Sequence, residues 1–145
     1  MIDLTKFYLN GEWVQPISTK EFPILCPTSE EQIGVTILGN EKDVDLAVSA
    51  ASEAFKSYSL TAKEERLSLL EKLLEITKKR FDDLAWAMTK EMGAPISMSR
   101  ELQADSGIGH LEGFIESLKV SIERETLSNG DILIREPIGV CGLIT

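Results

Sequence analysis

The chain has 145 residues, is 43% hydrophobic, and sets 24 acidic against 15 basic residues for a formal net charge of −9. That length accommodates a core of its own, and the acid excess argues against nucleic acid or an anionic membrane surface as partner, since both recruit clustered Lys and Arg. No run of about 18 apolar residues reads as a membrane span. The start "MIDLTKFYLNGEW" lacks the basic and apolar regions of a secretory signal, and Cys26 and Cys141 fit no CxxC spacing, so the chain reads as cytoplasmic and reduced.

In chain order, "KFYLNGEWVQP" sets Asn10-Gly11 between two short apolar-aromatic runs, a hairpin signal because both residues tolerate the positive φ of a type I′ turn. Pro16 ends the second run. "FPILCPTSEEQIGVTIL" predicts another strand pair around a turn at residues 28–31, with Ile33, Val35 and Ile37 alternating as in a half-buried strand.

Asn40 caps the first predicted helix, and Glu41, Asp43 and Asp45 place carboxylates at the positive end of its dipole. Its apolar face is Val44, Ala47, Val48, Ala51, Phe55 and Tyr58. The second helix opens on "TAKE", where Thr61 and Glu64 predict a capping box. Its stripe runs from Leu67 through Leu70, Leu73, Leu74 and Thr77, and a break at residues 78–80 precedes a shorter helix ending at Gly93.

Pro95 suits the first turn of a further helix, with Met98, Leu102, Ile108, Leu111, Ile115 and Leu118 facing inward. "SNGD" is a turn, and "ILIREPIGVCGLI" follows as one or two strands interrupted at Pro137. Residues 138–145, rich in Ile, Val and Leu without polar alternation, predict a buried strand of a parallel sheet. The order is strands, three or four helices, then strands: an α/β pattern.

The candidate chemistry is thin. "GIGHLEG" has GxGxxxG spacing inside a helical pattern, whereas a dinucleotide loop follows a strand and opens a helix; close helix packing explains it better. His110, the only histidine, has no second ligand at a telling spacing. Glu64-Glu65, Asp82-Asp83 and Glu123/Glu125 read as solvated faces, since hydrolytic carboxylates converge on a cleft. Cys141, among Val140, Gly142, Leu143 and Ile144, reads as a small, inert core residue with no histidine to activate it.

The order of motifs says more than any one of them. "FYLNGEWV", "CPTSEEQIGVTILGNEKDVDLAVSAASEAF", "KEMGAP" and "REPIGVCGLIT" follow one another as in the N-terminal part of an aldehyde dehydrogenase, and nearly the whole chain resembles that family. The resemblance implies three parts: residues 1–125 as N-terminal hairpins and the helical part of the cofactor domain, 126–137 as the β extension that joins subunits, and 138–145 as the first strand of a Rossmann-like sheet. It also implies a truncated chain, because family members are several times longer and continue with Pro-Trp-Asn.

In that family a cysteine thiolate attacks the aldehyde to form a thiohemiacetal, hydride passes to NAD or NADP, and a glutamate-activated water releases the acid. An asparagine amide and a backbone N–H stabilise the oxyanion. The resemblance places those catalytic residues beyond Thr145, so no catalytic residue is expected here. It implies that Ile144 and Thr145 line the cofactor pocket, and that Ile24, Leu25 and Glu91 are ligands of a monovalent cation, although "CPTSEE" stands for the commoner "NPxTGE" and Met92-Gly93-Ala94 for "NGK". The partners implied are an aldehyde and further copies in a homo-oligomer; no cofactor is expected on this chain alone. On the residues alone two other readings stay open: an interaction module docking through its C-terminal strands by β-augmentation, and a chain without any ligand.

Overall fold

The computed structural model describes residues 2–144. β1 (Ile2–Leu4) runs parallel to β5 (Gln32–Ile37), and β4 (Glu21–Leu25) lies antiparallel on the other side of β5, giving the order β1-β5-β4. β1 approaches so closely because residue 34 has no side chain: a Cβ on buried Gly34 would lie 2.8 Å from the Ile2 carbonyl oxygen. Nothing in "IDL" signals a strand, since three residues are too few to display a period. Pro23 is tolerated because β4 is an edge strand.

Between β1 and β4 the chain makes a separate ribbon, β2 (Phe7–Leu9) with β3 (Glu12–Val14), paired Phe7↔Val14, Tyr8↔Trp13 and Leu9↔Glu12. Asn10 and Gly11 have φ of 51° and 86°, the two positive values a type I′ turn demands. Tyr8 and Trp13 face each other with ring centroids 5.2 Å apart.

Asn40 begins α1 (Glu41–Tyr58) as expected. Its side-chain oxygen accepts from the Lys42 and Asp43 N–H groups at 2.9 and 3.2 Å, while Asp43 Oδ2 accepts from the Asn40 N–H at 3.0 Å, a reciprocal box. The apolar face of α1 is not a buried one: Val44, Val48 and Tyr58 are 59%, 48% and 52% exposed. The 3.6-residue period is real, but among the described residues no element covers that side.

The box expected at Thr61 does not form. α2 (Lys63–Lys79) has Ala62 as its N-cap with no side-chain bond, and the Thr61 hydroxyl donates to the Tyr58 carbonyl at 2.7 Å, closing the turn that leaves α1. α3 (Phe81–Met92) starts after the break at Arg80 and ends on Gly93 in the left-handed region. α4 (Ile96–Met98), a π-helical stretch (Ser99–Ala104) and α5 (Asp105–Val120) then follow without interruption. The wider π turn has no sequence signature. It places fully buried Ser99 where the Thr89 hydroxyl of α3 reaches it at 2.9 Å.

The buried apolar residues are Ala85 of α3, Ala104 of the π turn and Ile115 of α5. Small side chains there let α3 lie close on the π turn. A last hairpin, β6 (Arg124–Thr126) with β7 (Ile132–Ile134), turns through Gly130 at φ 88°. The strand expected over residues 138–145 is absent over residues 138–144, which lie outside any sheet, with Ile138, Leu143 and Ile144 at least 93% exposed. A strand buried on both faces needs a neighbour on each side, and none is available among the described residues. Gly139, at φ 124°, is also outside the β region.

Candidate functional site

The predicted cation ligands flank two segments that meet, the turn after β4 and the end of α3. After β4 the chain turns through residues 26–31, closed by Cys26 N–H to Glu31 O at 2.9 Å and Glu30 N–H to Cys26 O at 2.8 Å, with Glu30 at φ 61°. This turn seats on the end of α3. The Thr28 hydroxyl donates to the Gly93 carbonyl at 3.5 Å, and a Cβ on Gly93 would come within 2.8 Å of Pro27 Cγ and 2.9 Å of Thr28 Oγ1. Gly93 is therefore required twice, by its φ of 75° and by the turn lying on it.

Ile24 and Leu25 precede that turn, and the ladder register shifts between them as a bulge. Glu91 lies two residues before Gly93, exposed and without an ion pair among the described residues. No group of three or more His, Cys, Asp and Glu suited to a metal occurs among the described residues.

Sequence reasoning passed over Cys26 in this turn. Its thiol is pulled below its ordinary value first by the Ser29 backbone N–H, then by the Ser29 hydroxyl and the Thr28 N–H. The signal was available, because Cys-Pro-Thr-Ser is a turn sequence whose N–H groups fold back on position 26.

Of the two cofactor-lining candidates, Ile144 is 97% exposed, and Thr145 lies outside the described residues. Cys141 is not a core residue: it is exposed, with Sγ 3.7 Å from the Gly139 carbonyl oxygen. "GIGHLEG" lies within α5, as expected of a sequence that is no phosphate loop, but the predicted close helix packing is absent. A Cβ on Gly107, Gly109 or Gly113 would meet nothing within 4 Å. Four of the paired carboxylates are in ion pairs, Asp82 with Arg100 at 3.0 Å, Asp83 with Arg80 at 3.1 Å, Glu123 with Arg66 and Glu125 with Arg135, while Glu64 and Glu65 lie in the first turn of α2.

A cleft of about 890 Å³ opens where the ends of α1 and α5 meet the start of α2 and the chain after β7. Three cations organise it around the C-terminus of α5, where backbone carbonyls lack helical partners. Lys63 Nζ donates to the carbonyls of Lys119 and Ser121 at 3.2 and 3.1 Å, and Arg135 to that of Ile122 at 2.7 Å. Arg66 joins the Thr61 carbonyl, at 2.5 Å, to Glu123. All three are occupied in holding α2, α5 and the last hairpin together, and of the hydroxyls lining the cleft those of Thr61 and Ser121 donate to the backbone carbonyls of Tyr58 and Leu118.

The model of the aldehyde dehydrogenase family matches residues 13–145. The chain belongs to the aldehyde dehydrogenase family. A 3-succinoylsemialdehyde-pyridine dehydrogenase from a Pseudomonas species is 41% identical over the whole chain, which spans 30% of that relative. The aldehyde dehydrogenase of Bartonella henselae superposes with a TM-score of 0.89 at 38% identity, covering 92% of this chain and 29% of that one. A Mycobacterium tuberculosis aldehyde dehydrogenase complexed with NAD+ gives 0.85 at 25% identity over 93% of this chain and 29% of that one. The α/β architecture is that of the family's N-terminal part, and the chain spans about 30% of the length of these relatives.

Proposed function

We propose that the chain is the N-terminal portion of an NAD(P)-dependent aldehyde dehydrogenase that oxidises aldehydes to carboxylic acids, supplying scaffold and no catalytic group. The match of the family model over residues 13–145 carries this reading. An NAD+ complex in the Mycobacterium tuberculosis relative, and one with NAD+ and octanal in aldehyde dehydrogenase C of Pseudomonas syringae (TM-score 0.83, 31% identity), support the cofactor and substrate class. The bound cofactor would accept hydride.

This chain's own contribution is positional. The Lys63, Arg66 and Arg135 clamp fixes the last hairpin on the helices, and residues 138–145 lead from that hairpin as the first strand of the cofactor sheet once later strands pair with it. Ile144 and Thr145 then line the cofactor pocket. A lone exposed Ile144 forms no enclosure, and small ligands need one to gain affinity, so the chain by itself is expected to bind NAD+ negligibly. Incubating it with NAD+ and a panel of aldehydes should yield no reduced cofactor. Turnover abolished by Cys141→Ser would overturn the assignment of chemistry to other residues.

Ile24 and Leu25 carbonyls with Glu91 fit a hard cation by donor type, all three being oxygen ligands. The register shift between Ile24 and Leu25, where Ile33 is the extra residue of β5, interrupts the ladder beside both carbonyls and supports their availability. Titration with potassium, comparing the parent with Glu91→Gln, tests this set; equal heats in both would remove Glu91 from it. The exposed apolar strand β7 supports association into homo-oligomers by edge pairing, to be checked by light scattering across a concentration series. A reducing cytoplasm suits the two free cysteines. Among the described residues no helix is long and apolar enough to cross a membrane.

A further inference from the structure

We propose that the β2–β3 ribbon is an arm clipped to the helices by one carboxylate, that of Asp43, and that the clip opens without unfolding the helical body. The ribbon pairs with neither of the other sheets; it is an excursion between β1 and β4. Where the chain leaves it, the Ile17 N–H donates to Asp43 Oδ1 at 2.6 Å and the Ser18 N–H to Asp43 Oδ2 at 3.1 Å. The same Oδ2 accepts from the Asn40 N–H at 3.0 Å.

One side chain thus joins the exit of the ribbon to the first turn of α1, 25 and 26 residues further along. Asp43 is 5% exposed and has no cationic partner among the described residues. Its charge is balanced by N–H dipoles and the helix N-terminus. The other tie is apolar and non-directional: the Phe7 ring lies over Gly39, 3.3 Å from where a Cβ would stand.

Both carboxylate oxygens are used: Oδ1 by the Ile17 N–H, and Oδ2 by the Ser18 and Asn40 N–H groups together. An amide at position 43 offers one acceptor whichever way it is turned and aims an NH2 at a donor on the other side. The buried apolar residues Ala85, Ala104 and Ile115 are elsewhere, among α3, the π turn and α5, so the body does not depend on the clip.

Amide hydrogen exchange by NMR on the full chain tests this, comparing Asp43→Asn with Asn40→Ala. Asp43→Asn should speed exchange by about tenfold or more at whichever of Ile17 and Ser18 then faces the NH2, the loss of one charge-assisted bond, while the amides of α2, α3 and α5 keep the parent rates. Asn40→Ala, which removes only the helix half of the box, should leave Ile17 and Ser18 protected. Unchanged exchange at Ile17 and Ser18 in Asp43→Asn would overturn the clip. So would a uniform rise that includes Ala85, Ala104 and Ile115, because Asp43 would then support the whole fold rather than one arm.

Discussion

Gly93 and Gly139 are both held at positive φ, at 75° and 124°, yet their surroundings have nothing in common. Around Gly93 the end of α3 and the turn after β4 interlock, with Pro27 and Thr28 against the position a side chain would take. Around Gly139 nothing lies within 4 Å of that position, and Ile138, on its N-terminal side, is 94% exposed. The first region is specified by groups of defined geometry: a left-handed helix end, a proline, and a hydroxyl that reaches a carbonyl 65 residues away. The second is specified only by hydrophobicity, which selects burial but not a partner. Directional contacts select their partners; an apolar run does not.

The largest expected effect follows from that contrast. Gly93→Ala should destabilise the chain by about 2–4 kcal/mol, combining left-handed strain with a clash that only displacement of the turn relieves. Chemical denaturation followed by circular dichroism measures it. A loss of only about 1 kcal/mol, the low end of the strain of the left-handed φ alone, would mean that the turn does not seat on α3.

The Arg66 clamp ranks next. Its side chain is 25% exposed and bridges the Thr61 carbonyl to Glu123 across α2 and the end of α5. Arg66→Ala should cost about 1–2 kcal/mol, above the usual yield of an exposed pair because a carbonyl also loses its donor. Arg80→Ala provides the contrast: both partners of the Arg80–Asp83 pair are 67% exposed, and its loss should stay within about 0.5 kcal/mol. Equal losses in the two variants would reduce the clamp to surface electrostatics.

Helix starts sharpen the comparison at smaller scale. Asn40 completes its box and Thr61 does not, although both positions carry the residue types that caps favour. Ala62→Asp should therefore stabilise the chain by about 0.5–1 kcal/mol, by supplying the cap that α2 lacks. Its thermal unfolding midpoint should rise, and no rise would mean that the N-terminal N–H groups of α2 are already satisfied.

These outcomes mark what the sequence could and could not reveal. The ribbon, the β4–β5 turn, the α1 cap, the break at Arg80 and the stop at Gly93 were legible because each is encoded within a few neighbouring residues. β1, the π turn and the Asp43 bonds to Ile17 and Ser18 were not, since each depends on a partner distant in sequence. The strand over residues 138–145 and the buried stripe of α1 were read from period and composition, which say that a face is apolar and not what covers it. The family was legible from motif order, which spans the chain and needs no single diagnostic residue.

Gly139→Ala is expected to have the smallest effect, within about 0.5 kcal/mol of the parent, despite a φ that alanine resists. Strain costs free energy only when surroundings hold the residue in place, and residues 138–144 have no ladder to hold them. An alanine there relaxes toward the β region and takes its exposed neighbours with it. The variant also separates two accounts of the segment. If the glycine conformation keeps residues 138–144 out of a sheet, releasing it should promote pairing, and light scattering should detect larger species at lower concentration than for the parent. If the lack of a neighbouring strand is the cause, the mass distribution should stay unchanged, which is the outcome expected because no strand lies beside residues 138–144 among the described residues.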